Sequence, residues 1–106
     1  MAKEIHVTSN LKKNLVFPFY VKKEKFTAGQ YKMGDLVELG EDGAVKKITA
    51  PENIYGVVTD DFEATSSNTH FTVYLTGAFN QSEVNFNSQD QAKTVAAARK
   101  LLIMID

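Results

Sequence analysis

Two histidines, one acidic cluster and no cysteine are the raw material for any chemistry in this chain of 106 residues. His6 and His70 would suit proton transfer or metal ligation, because imidazole titrates near neutral pH and offers a ring nitrogen. Neither has a second ligand at metal-site spacing, so both read as ordinary polar residues. Asp60, Asp61 and Glu63 are the densest carboxylate group. A calcium loop needs oxygens at set positions and a glycine at its sharp turn; that glycine is missing, and a solvated loop is the expected form. With no Cys there is no thiolate nucleophile, no thiolate metal site and no disulfide. Gly56 and Gly77 stand alone, as in turns or bulges rather than phosphate loops. No serine sits in a nucleophile elbow. Any two carboxylates can meet in a fold, but no pattern marks such a pair. The expectation is no catalytic residue, no metal and no cofactor.

The elements that would carry a function are mostly strands. Tyr31 to Leu39 reads as one, ending at Gly40-Glu41-Asp42-Gly43, a hairpin signal because glycine accepts the positive φ of such turns. Ala44 to Ile48 is its partner, Ala50 to Asn53 a loop, and Ile54 to Thr59 a third β-rich run. Asp60 to Thr69 is a polar surface loop. His70 to Leu75 alternates as a fourth strand, followed by a turn-like Thr76 to Asn80. Ser88-Gln89-Asp90-Gln91 fits a capping box. It opens a helix over residues 89–99 whose inward stripe is Ala92, Val95, Ala96 and Arg99. The chain then ends in an apolar run, 101–105, expected as an inserted strand. The class is mainly β with one short helix, in a single domain of modest core.

Charge divides the chain. Residues 1–30 hold six Lys against Glu4 and Glu24, a balance of +4; residues 31–106 hold six basic and eleven acidic groups, a balance of −5. That asymmetry suggests an interaction arm over 1–30 on a body of 31–106. Within the arm, Leu15-Val16-Phe17-Pro18-Phe19-Tyr20-Val21 is apolar around a proline that cannot donate to a ladder, so it is at best an edge strand or an extended segment. Such a segment needs a surface, on its own body or on another protein. Lys residues interleaved with aromatics also suit nucleic acid, but the acidic body would repel phosphate, and no nucleic-acid partner is expected. No run reaches transmembrane length and the N-terminus lacks the apolar core of a signal peptide, so no membrane partner and synthesis in the cytoplasm are expected.

From Tyr31 onward the chain resembles the head decoration proteins of tailed bacteriophages, of the phage lambda type. The resemblance is carried by Ala28-Gly29-Gln30-Tyr31-Lys32-Met33-Gly34-Asp35-Leu36, by Ile54-Tyr55-Gly56-Val57-Val58, and by Phe71 to Asn80 followed by Glu83-Val84. The late helix leading into a terminal strand completes it. It covers about three quarters of the chain. It implies a small β-barrel-like, tulip-shaped fold with an extended N-terminal arm. It implies a homotrimer on the outer surface of the virion head, at three-fold and quasi-three-fold positions on the major capsid protein, cementing the shell against internal DNA pressure. The first 30 residues depart from the lambda-type arm, being Lys-rich and aromatic rather than Pro/Ala/Ser-rich. On this reading Ile5, Val7, Leu15, Phe17, Phe19 and Tyr20, with Lys12 and Lys13, bind the shell, and Tyr55 and Phe79 are placed at the trimer interface. The alternatives are another virion component, of tail or fibre, and a small hydrolase or ligand-binding β-barrel whose pocket would hold His70, Asp60 or Glu63.

Overall fold

The computed structural model describes residues 19–106. Its strands are β1 (Tyr20–Lys25), β2 (Gly29–Tyr31), β3 (Leu36–Leu39), β4 (Val45–Lys47), β5 (Ile54–Val58), β6 (Phe62–Ala64), β7 (His70–Phe79) and β8 (Ile103–Ile105), with one helix, α1 (Gln91–Arg99), before the last. The larger sheet runs β1-β7-β5-β3-β4, with β8 parallel to the end of β7, while β2 and β6 pair separately. Among the described residues the ends of the larger sheet meet at one bridge, Phe26 to Val45. The expected barrel is therefore corrected to an open sheet.

Alternation explains why the sheet is covered twice. Leu36, Val57 and Tyr74 face one side, where Val84, Phe86, Ala98, Ile103 and Ile105 close over them. Val37, Val58 and Val73 face the other, packed by Phe26, Tyr31 and Ala64, with Phe62 and Phe71 stacked alongside. In β5 the alternation shifts by one residue, because Val37 pairs with Gly56 but Glu38 with Ile54, leaving Tyr55 as the extra residue of a bulge. Gly56 is required there: a Cβ would lie 2.6 Å from the Tyr74 carbonyl oxygen and 2.6 Å from Val73 Cγ2.

The N-terminal boundary differs from the expected one. Residues 20–25 pair with β7 along their length, Phe26 is wholly buried, and Gly29–Tyr31 pairs with β6. Residues 19–30 therefore belong to the body, and the rest of the expected arm, 1–18, lies outside the described residues. A strand exposed on both faces carries no apolar alternation, which is why β1 escaped the pattern. Two further boundaries move. The expected turn over 76–80 is the continuation of β7 as far as Phe79. The expected polar loop contains β6.

The helix is shorter than expected and turned about its axis. Asp90 is its N-cap, accepting from the Lys93 N–H at 2.9 Å, whereas Ser88 has a φ of 66°. Thr94 and Ala98 point inward, fully buried, and the Thr94 hydroxyl donates to the Asp90 carbonyl at 2.7 Å. Ala92, Ala96 and Arg99 face out and Val95 is half-buried, so the expected inward stripe is corrected. Leu101 and Leu102 form an exposed turn rather than strand, with Leu102 left-handed at φ 64°, and only Ile103–Ile105 is inserted. Ile103 and Ile105 are buried, each contributing about 1.5–3 kcal/mol of apolar transfer.

Two buried carboxylates hold the loops. Asp35 accepts from the Lys32 N–H at 2.9 Å and from Asn85 Nδ2 at 3.0 Å, tying the segment before α1 to β3. Glu38 accepts from the Thr49 N–H at 2.8 Å and the Thr49 hydroxyl at 2.9 Å, with Lys46 Nζ at 3.7 Å. Burial pushes the Glu38 carboxyl up, but the Thr49 and Asn53 hydrogen bonds and the Lys46 charge outweigh it and hold the group below its ordinary 4.5.

Gly56→Ala is expected to cost about 1–3 kcal/mol by overpacking against β7, read as a lower urea midpoint at unchanged slope. Because Glu38 titrates lower folded than unfolded, its contribution is complete above 4.5 and disappears as pH falls through the folded value. Denaturation series in acid should therefore show a shallower pH dependence for Glu38→Gln than for the parent. Parallel curves would show that Glu38 contributes no acid lability.

Candidate functional site

The region where the N-terminal segment meets the body is built around Gly77. Phe19 lies across it, half-buried, with its ring 5.7 Å from both Tyr74 and Phe79, edge-on to each. A Cβ on Gly77 would sit 2.5 Å from Phe19 Cδ2, and its φ of +154° favours glycine as well. The Gly77 N–H donates to the Leu102 carbonyl at 3.1 Å, so the same residue sets the first step of β8. Phe19, β7 and the turn after α1 thus converge on one side-chain-free position.

From there β1 runs outward along the sheet edge. Tyr20 is 56% exposed, its N–H donating to Thr76 Oγ1 at 3.1 Å, and Val21 is 43% exposed. Lys22, Lys23 and Lys25 are exposed too. Glu24 is turned inward, accepting from the Tyr55 hydroxyl, with Lys22 Nζ at 3.6 Å. Burial first, then the hydrogen bond to Glu24 and its charge, push the Tyr55 hydroxyl up to about 12, so it remains a neutral donor at physiological pH.

The sequence-expected residues divide by position. Ile5, Val7, Leu15, Phe17, Lys12 and Lys13, and His6 with them, lie outside the described residues. Of the expected arm, Phe19 and Tyr20 are described: Phe19 is a packing residue and Tyr20 an exposed one. Phe79 is wholly buried, so it offers no surface to another copy, and its placement at an interface is corrected. Tyr55 is half-buried with its hydroxyl committed to Glu24.

The acid and histidine candidates do not converge. His70 Nδ1 is 2.9 Å from the Thr69 hydroxyl, Asp60 accepts from the Asp61 N–H, and Asp61 accepts from the Met33 N–H, both at 2.9 Å. Among the described residues no three His, Asp or Glu side chains are grouped to hold a metal ion. A shallow depression on the outer face of α1, lined by Gln81, Gln91, Ala92, Val95, Ala96 and Arg99, is open to solvent. Among the described residues no helix is long and apolar enough to cross a membrane.

Sequence reasoning allowed an edge strand as far as Val21 but missed Lys22, Lys23 and Lys25 as members of it. A run of three Lys in four residues next to apolar side chains was the available signal, since edge strands are commonly protected by lysine. A scan against protein-family models matches none of them to this chain, and a search of curated proteins finds no relative.

Phe19→Ala is expected to cost about 1–3 kcal/mol, below the 3–5 of a fully buried ring. Gly77→Ala should cost less in the Phe19→Ala background than in the parent, because the ring it would displace is gone. Denaturant unfolding of the two singles and the double measures the coupling. Additive effects would show that Phe19 does not depend on Gly77 for its seat.

Proposed function

We propose that this chain is a head decoration protein of a tailed bacteriophage, a non-enzymatic homotrimer with a tulip-like fold. It binds the major capsid protein on the outside of the shell at three-fold and quasi-three-fold positions, and it stabilises the shell against the pressure of packaged DNA. The observation that carries the reading is the junction at Phe19. The segment from Ile5 to Phe17 joins the body at a seated aromatic, beside a lysine-bearing strand exposed on both faces at the sheet edge. The sequence immediately before it, Leu15-Val16-Phe17, is apolar and needs a surface to cover it. The resemblance from Tyr31 onward supplies the kind of partner.

The physics of such a protein matches the chain. Cement needs a rigid body, and both faces of the sheet are filled with side chains. The same packing counts against a ligand-binding barrel, whose interior would have to be open. Three weak contacts on a three-fold axis multiply, because the second and third arms bind from an already tethered trimer. Matching symmetry also keeps each footprint small.

The test is to add the full chain to expanded heads stripped of decoration protein, from the phage that encodes it. Cryo-electron microscopy then counts copies at each three-fold position. The expected result is density at three-fold and quasi-three-fold sites and a higher temperature of head disruption; density on tail or fibre, or none at all, would overturn the proposal. Deleting residues 1–14 should leave the body folded and lower the occupancy, and unchanged occupancy would remove the arm from the binding surface.

A further inference from the structure

The outer edge of β1 is open where its charge is greatest. The direction of its backbone groups follows from three hydrogen bonds. The Tyr20 and Phe26 N–H groups point to the β7 side, donating to Thr76 Oγ1 and the Thr69 carbonyl, while the Thr27 N–H points the opposite way, to the Val45 carbonyl at 2.8 Å. Along an extended strand these directions alternate. The irregularity between β1 and β7 adds its extra residue, Leu75, on β7, so the alternation on β1 is unbroken. Val21 and Lys23 therefore direct both N–H and C=O away from β7. β4 first meets this edge at Phe26 and begins at Val45, so among the described residues no strand covers Val21 or Lys23.

We propose that this edge adds one strand from another protein, an extended acidic segment, with Val21 and Lys23 supplying the backbone ladder and the lysines the selectivity. The inference rests on the cement reading for the identity of that protein, the shell subunit, and on the geometry for everything else. Lys22 lies on one face of β1, opposite Val73, while Lys23 and Lys25 lie on the other, opposite Thr72 and His70. A strand laid along this edge meets cations on both of its faces. Carboxylates at successive positions would answer them, because opposite charges on neighbouring strands attract and like charges repel. The one acid of the strand, Glu24, accepts from Tyr55 and pairs with Lys22, so it competes for that one lysine, while Lys23 and Lys25 lie on the opposite face of the strand.

The lysines also say what does not bind. A second copy of β1 would oppose lysine with lysine, so the edge is protected against self-pairing while remaining open to an acidic strand. Residues 1–18, with Lys3, Lys12 and Lys13 against Glu4, carry the wrong charge for it as well. Strand addition of this kind takes affinity from main-chain bonds and selectivity from side chains.

Two substitutions at one position separate a ladder from simple charge attraction. Lys23→Gln removes the cation and keeps the outward N–H; Lys23→Pro removes both, at a site where proline costs β7 no bond. The probe is a synthetic peptide of about eight residues with Glu at successive positions through its centre and Val at both ends, titrated into the full ¹⁵N-labelled chain. Amide shifts centred on Val21 and Lys23, and binding that weakens with salt, are expected. Lys23→Pro should bind at least about tenfold more weakly than Lys23→Gln. No binding by the parent chain, shifts elsewhere, or equal affinities for the two variants would overturn the inference. If Lys23→Pro does not fold, the amide shifts of the parent decide alone. Peptide binding at this edge together with failure to bind heads would leave the inference standing and remove the cement reading.

Discussion

A strand has two edges and two faces, and β7 uses nearly all of them. It pairs with β1 over most of its length, with β5 at Tyr74 and Val73, and with β8 at Gly77 to Phe79. Its side chains meanwhile enter both cores, Val73 one and Tyr74 and Phe79 the other. A strand so fully committed leaves little room for a side chain where a partner approaches closely. That constraint accounts for Gly77 beneath Phe19 and for Gly56 against Val73 and Tyr74. It also explains the left-handed Leu102. The helix must end and reverse within a few residues to lay β8 parallel to β7, and that reversal takes a positive φ even without glycine.

How much of this was legible depends on whether burial left a contrast in the sequence. The hairpin at Asp42-Gly43 was legible because its turn needs positive φ, and Gly43 has 83°. The third and fourth strands were legible because buried β-branched and aromatic residues recur along them. The existence of the helix was legible from its polar start and alanine-rich body, but its orientation was not. Alanines occur on every side of α1, so the apolar period has no phase. The residue that sets the inward face is Thr94, whose hydroxyl is satisfied locally by the Asp90 carbonyl and so is buried without penalty. The capping residue was missed by two positions for a related reason. Ser88 and Asp90 are both good N-caps by type, and tertiary bonds decide between them: Asn87 Nδ2 donates to the Ile48 carbonyl at 2.7 Å, drawing the chain back before the helix starts.

The candidate surface was legible only as composition. Basic residues near the N-terminus were evident, whereas their place on a paired strand was not, because an edge strand exposed on both faces obeys no binary pattern. Phe79 was misplaced because an aromatic after a glycine looks like a turn tip, while here the strand continues through Gly77 and buries it. Phe19 was assigned to an arm, although its ring is held between Tyr74 and Phe79. In each case pairing with β7 decided the outcome, and pairing partners 26 to 56 residues apart leave no local trace.

The proposed role requires a body with an acidic excess to present a basic edge to an acidic segment, and the range of electrostatics decides whether it can. At physiological ionic strength charges are screened over about 8 Å, so an approaching strand responds to the lysines it touches more than to carboxylates across the molecule. The nearest acid, Glu24, is bound by Tyr55, while Asp35 and Glu38 are buried and hydrogen-bonded within the loops they hold. These bonds keep Asp35 and Glu38 away from the edge, while Glu24 lies on it and offsets part of the Lys22 charge. Net charge therefore describes how the molecule behaves at a distance, whereas the edge of β1 determines what it accepts at contact. A body that is acidic in sum and basic along one edge favours approach in a single orientation, with the Phe19 junction and β1 turned toward the partner, as the proposed seating on a symmetric shell would require.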